Sequence, residues 1–195
     1  MKNLIILTFV LCFSIPNVYS QNDDLKESIT KLYKLLNTKK ESSYSFREVI
    51  NETLEVNSVS NARFKGGETR KGISLNLPKN TSIWYYRITV LELNDSFRLR
   101  ENEKLVNQIK NKDLELFNRA NEQIDFYIIP ESNIANFLQT GNNNFMVYKN
   151  FTKNNTSDFF ETSKVLGDDF WIGIKNNNKF KGLKVIVEVV AFGKF

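Results

Sequence analysis

Asp168 and Asp169 stand directly before Phe170 and Trp171, an acid pair beside an aromatic pair. Glycoside hydrolysis uses two carboxylates, and calcium is held by carboxylate oxygens, so this tetrapeptide is a candidate for either chemistry. Successive residues of a strand point to opposite faces, so the two aspartates share a site only where the chain bends. Otherwise they are turn residues that open a strand. A second candidate lies in the run Trp84-Tyr85-Tyr86-Arg87. Tyr85 and Arg87 fall on one face there, able to stack on a ring or bind a carboxylate. The alternative is a tyrosine covered by an arginine stem on a solvated sheet face. Tyr85, Arg87, Asp168, Asp169 and Trp171 are thus the candidate ligand-binding residues.

Other chemistry is excluded by residue type. The chain contains no histidine, which removes Ser-His and Cys-His nucleophilic sites, histidine general bases and His-ligated zinc. The single cysteine, Cys12, lies in an apolar leader, so the remainder has neither a thiolate nor a disulfide. Gly66-Gly67 has neither the spacing nor the following helix of a phosphate cradle, and no EF-hand loop is present. No catalytic residue and no cofactor are assigned. A metal, if held, would be a hard cation on oxygen ligands, calcium being the natural choice. The Asn-X-Ser/Thr triplets beginning at Asn51, Asn80, Asn94, Asn150, Asn154 and Asn155 matter only in a eukaryotic source.

The N-terminus reads as a signal peptide over residues 1–20. Lys2 supplies the positive start, residues 4–13 an apolar run, and residues 14–20 a polar exit before cleavage at Gln21. The run is about half of what a membrane-spanning helix needs, and Val10 and Leu11 do not form a lipobox before Cys12. The protein is therefore expected to be exported, to the periplasm, the cell surface or the medium, with no transmembrane segment after cleavage. Lysine and arginine number 27 against 22 acids. The basic residues are scattered, with 38–40, 63–72 and 179–184 as separate clusters, a pattern that suits solubility or attraction to anionic envelope material rather than nucleic acid.

The elements follow from hydrophobic spacing. Leu25, Ile29, Leu32 and Leu36 form one stripe and predict an amphipathic helix within 21–44. Alternation predicts a strand in the later part of 45–60, on Leu54, Val56 and Val59, whose start is ambiguous, and strands over 73–77, 82–93, 124–130, 144–151, 168–175 and 181–192, about seven in all. In the third, Trp84, Tyr86, Ile88 and Val90 form the core face, which leaves Tyr85 exposed. The last two strands, joined by Asn176-Asn177-Asn178, predict a hairpin whose asparagines take up positive φ. Residues 152–167 predict a polar loop. The charged, Gly- and Pro-free stretch at about 96–123 predicts a solvated helical insertion. The sum is a mainly β domain over 45–195, an antiparallel β-sandwich or jelly roll of about seven strands.

Trp84-Tyr85-Tyr86 after a polar turn, and Trp171-Ile172-Gly173-Ile174 before a valine-rich strand, resemble the bacterial pre-peptidase C-terminal domain, an exported β-sandwich. The asparagine- and lysine-rich composition and the Tyr19-Ser20-Gln21 exit resemble secreted proteins of the Bacteroidetes type. The resemblance implies a non-catalytic module. The function expected is thus a non-enzymatic binding or envelope-interaction domain, its partner an envelope protein or a glycan. The alternative is a carbohydrate-binding or carbohydrate-active protein built on carboxylates and aromatics.

Overall fold

The computed structural model describes residues 44–195 apart from 118, 120, 140 and 165–168, together with Thr30, which is helical. The predicted signal peptide, and the predicted amphipathic helix apart from Thr30 and Tyr44, lie outside the described residues. So does Asp168.

Eight strands are described: β1 (Tyr44–Val56), β2 (Arg70–Leu75), β3 (Thr81–Glu92), β4 (Ile124–Pro130), β5 (Lys153–Thr156), β6 (Phe159–Lys164), β7 (Phe170–Lys175) and β8 (Leu183–Lys194). They form two four-stranded sheets. The first, sheet A, has the order β1-β8-β3-β6, and the second, sheet B, the order β2-β7-β4-β5. Every pairing is antiparallel. Three short helices join them: α1 (Val59–Lys65), α2 (Leu105–Asn111) and α3 (Ile134–Leu138).

The inner faces share one core. Trp84, Tyr86, Ile88 and Val90 of β3 and the alternate valines of β8 meet Ile124, Phe126 and Ile128 of β4 and Ile172 and Ile174 of β7. The Tyr86 ring stacks on Phe126 with centroids 5.4 Å apart, and Trp84 meets Phe170 at 5.8 Å. The alternation in β3 thus sets the core face as its sequence predicts.

Predicted elements differ in several places. The first strand ends at Val56, and Val59, expected within it, opens α1 behind the N-cap Ser58, whose side chain accepts from the Asn61 N–H. Residues 144–151 form no strand: Phe145 and Val147 pack instead on the outer face of sheet B, and 149–151 make a 3-10 turn. Residues 152–164 hold β5 and β6, not a polar loop. β5 reads Lys-Asn-Asn-Thr because it is an edge strand, where polar side chains guard open hydrogen-bonding groups. The final hairpin is absent, because β7 belongs to sheet B and β8 to sheet A. Residues 176–182 cross between the sheets, and Asn176 secures the crossing. Its side-chain amide donates to the Lys181 carbonyl at 2.9 Å and the Val56 carbonyl at 3.2 Å, while its oxygen accepts from the Asn178 N–H at 2.9 Å. Among the described residues, positive φ outside glycine falls at Asn80, Lys112 and Asn155, so the asparagines at 176–178 act through hydrogen bonds.

Candidate ligand cleft

β3 buries both of its faces. Tyr85 is 3% exposed and Arg87 only 1%, so neither is displayed to solvent. The cause is the stretch expected to be a solvated helix. Leu105 and Ile109 of α2, with Leu114, pack on Tyr85, Phe160, Val190 and Phe192 and form a second core on the outer face of sheet A. The i, i+4 pair Leu105–Ile109 is therefore a buried stripe, and the charged residues around it are its solvent side.

Arg87 pins that cover in place. Register sets it opposite Glu188 of β8. Its Nε donates to Glu188 Oε2 at 2.7 Å, and Nη2 lies 2.6 Å from the same oxygen. Nη1 donates to Gln108 Oε1 at 2.5 Å and to the Glu115 carbonyl at 3.1 Å, and Nη2 donates to the Glu103 carbonyl at 2.6 Å. These contacts match the five N–H donors of a guanidinium. The Leu105 N–H donates to the other Glu188 oxygen at 2.7 Å. Burial pushes the Glu188 carboxyl up, against the pull of the Arg87 guanidinium and the Leu105 N–H. A side chain so fully engaged has nothing left for a ligand. Arg87 is a structural clamp.

Sheet B is covered in a parallel way. Arg70, 4% exposed, donates through Nη1 to the carbonyls of Phe137 at 2.8 Å, Gln139 at 3.2 Å and Asn142 at 2.5 Å, and through Nη2 to Asn143 Oδ1 at 2.9 Å. Its charge thus sits against the carbonyl end of α3. Gly173 admits the Phe137 ring to this face: a Cβ there would lie 3.0 Å from the ring and 2.5 Å from Ile129 Cδ1. Trp171 packs partly buried on the same side, its indole N–H donating to the Glu131 carboxylate. Asp169 is exposed, and its backbone carbonyl accepts from the Glu131 N–H at 3.2 Å. Tyr85 and Arg87 therefore lie on the outer face of sheet A, and Trp171 on the outer face of sheet B. Tyr85 and Arg87 thus do not share a rim with Trp171.

Polar groups do converge elsewhere. A cleft of about 450 Å³ opens on the outer face of sheet A, between β1, β8 and residues 97–104. Asn51, Thr53 and Glu55 supply one wall by strand alternation, and Lys184 and Ile186 of β8 are the neighbouring residues. Phe97, Arg98, Leu99 and Lys104 supply the other. Three cations thus face one carboxylate. Lys184 Nζ donates to the Asp95 carbonyl at 2.8 Å, and Lys104 pairs with Glu101 at 2.6 Å. Arg98 is exposed, with no carboxylate in salt-bridge range among the described residues. Amide, hydroxyl and guanidinium groups beside an aromatic ring can hold a hydroxyl-rich anion by hydrogen bonds and stacking. Strand alternation shows Asn51, Thr53 and Glu55 to be one polar face in the sequence, but their meeting with Arg98 depends on the path of the insertion.

Among the described residues, no three of His, Cys, Asp and Glu gather to hold a metal ion. No helix there is long and apolar enough to cross a membrane. No protein-family model and no curated protein matches the chain.

Proposed function

We propose that the protein is an exported, non-enzymatic binding domain of jelly-roll architecture, taking an anionic, hydroxyl-rich envelope ligand, an acidic glycan, in the cleft on sheet A. The strand orders 1-8-3-6 and 2-7-4-5 support the jelly roll, because they are what two interleaved Greek keys give when numbered in sequence. One observation carries the binding reading: the buried cations Arg87 and Arg70 are spent on the fold, whereas Arg98 is exposed on the cleft with no carboxylate in range among the described residues. Lys104 and Lys184 stand beside it, each with a local partner. The carbohydrate-active alternative draws on Tyr85, Arg87, Asp168, Asp169 and Trp171, and those described among them lie on opposite sides of the two-sheet body.

Calorimetric titration with oligogalacturonate and with uncharged galactan oligomers of equal length tests this. The acidic oligomer should bind at least about tenfold more tightly, the equivalent of one charge-assisted contact. Arg98→Gln should remove that preference. Equal affinity for both oligomers, or no binding to either, would defeat the proposal.

A further inference from the structure

Two triplets far apart in sequence repeat one pattern, a phenylalanine between two cations: Arg63-Phe64-Lys65 and Lys179-Phe180-Lys181. The fold brings them to the same end of the molecule. The first closes α1, and the second lies in the crossing from β7 to β8. The N–H groups of Val59 and Ser60, at the start of α1, donate to the carbonyls of Asn178 and Lys179, each at 3.0 Å. Phe64 is 79% exposed and Phe180 72%. Neither ring serves the core, and α1 contributes no buried residue at all. Scattered exposed leucines or valines are ordinary, but two phenylalanines held out on adjoining segments, one the end of a helix and one a loop, are not.

The charges around the rings identify the occupant. Arg63, Lys65 and Lys179 have no carboxylate within salt-bridge range among the described residues, while Lys181 bridges Glu122 at 2.5 Å and the nearby Glu68 is paired with Lys71. The guanidinium carbon of Arg63 lies 5.8 Å from the Phe64 centroid, and the Lys179 ammonium 5.1 Å from that of Phe180. Each tip therefore carries an apolar ring with a cation beside it. A soluble polyanion would use the cations and leave the rings in water. A membrane of anionic lipid uses both, since it presents negative headgroups above an apolar layer.

The geometry points to this end of the molecule as a docking surface for an anionic phospholipid membrane, with Phe64 and Phe180 entering the headgroup boundary and Arg63, Lys65 and Lys179 meeting lipid phosphates. This docking does not rest on the cleft and shares no residue with it.

Co-sedimentation of the full chain with vesicles tests it, using equal parts phosphatidylglycerol and phosphatidylcholine against phosphatidylcholine alone. Three cations near an anionic surface predict about a hundredfold preference for the anionic vesicles, lost at high salt. Hydrogen exchange should show protection at 59–68 and 176–182, which locates the contact apart from the apolar N-terminal run. The Phe64→Ser/Phe180→Ser double variant should melt with the wild type and lose at least tenfold in vesicle binding. The Arg63→Gln/Lys65→Gln/Lys179→Gln variant should lose the lipid-charge preference. Unchanged binding by the phenylalanine variant, protection confined to other segments, or equal binding to both vesicle types would overturn the proposal. So would self-association without vesicles that depends on the two rings, or binding to heparin but not to vesicles.

Discussion

Arg87 carries a formal charge into a site where it is 1% exposed, and it is met there by a carboxylate, an amide oxygen and two backbone carbonyls. Such a site works as a unit, because removing the cation leaves the buried Glu188 carboxylate with the Leu105 N–H and no countercharge. Arg87→Met should therefore cost about 3–5 kcal/mol in urea unfolding. Arg87→Lys should recover little, since an ammonium cannot reproduce the planar fork that meets Gln108, Glu103 and Glu188 together. Tyr85→Ala should cost about as much as Trp84→Ala, each about 3–5 kcal/mol, because both rings are buried in separate cores. A loss under about 1 kcal/mol for Arg87→Met or Tyr85→Ala would show that the insertion does not cover this face. Thr89 offers the opposite case. Its hydroxyl is buried without a hydrogen-bond partner among the described residues. Thr89→Val should raise stability by about 1 kcal/mol, as removal of an unpaired buried polar group does. A fall in the urea midpoint would mean that the hydroxyl is satisfied.

At the scale of elements, the insertion from Asp95 to Phe117 is held from below by Arg87 and at its start by local ion pairs. The Phe97 N–H, donating at 2.8 Å, is the main cause holding the Asp95 carboxyl below its usual range, with Arg119 assisting. Lys104 does the same for Glu101, and Arg100 for Glu103. A depressed folded-state value gives stability that is complete above the unfolded value, near 4, and is lost as pH falls through the folded one. Glu188 has the opposite sign: its raised value makes stability decline as pH climbs from the ordinary carboxylate value to the raised one. The two windows do not overlap. Amide exchange in α2 should therefore quicken below about pH 4 while exchange in β3 and β8 changes less. Simultaneous loss of protection in all three would contradict a locally held cover. Part of this arrangement was legible beforehand. Residues 82–93 and 183–192 are nearly continuous apolar runs, the pattern of strands buried on both faces. What obscured it was the insertion itself, whose short apolar stripe, Leu105, Ile109 and Leu114, is diluted by charged neighbours. β5 and β6 are hard to read from sequence for a different reason: both are edge strands, where polar residues are placed and alternation fades.

Over the whole molecule, each sheet keeps one face for the shared core and has the other covered by a connecting segment, with a buried arginine fastening each cover. The period-two spacing of Trp84, Tyr86, Ile88 and Val90 in β3 and of Val185, Val187 and Val189 in β8 marks the shared core face even within these apolar runs, because it depends only on neighbours in sequence. The pairing of β8 with β1 and β3 is not of that kind, since it depends on a crossing that Asn176 holds by contacts with Val56 and Lys181. The same limit applies to function. Tyr85 and Trp171 look alike in sequence but occupy opposite sides, and Arg98 becomes a candidate only when residues 97–104 are seen beside β1. The cleft joins segments about 45 and 85 residues apart in the chain, so no local spacing announces it.

The binding proposal is tested most directly by amide chemical-shift mapping of the folded protein during titration with oligogalacturonate. The shifts should concentrate at Asn51, Thr53, Glu55, Lys184 and residues 97–104, saturate together, and vanish in Arg98→Gln. Shifts centred on Trp171 and Asp169, or none at a saturating concentration, would contradict a ligand cleft on sheet A.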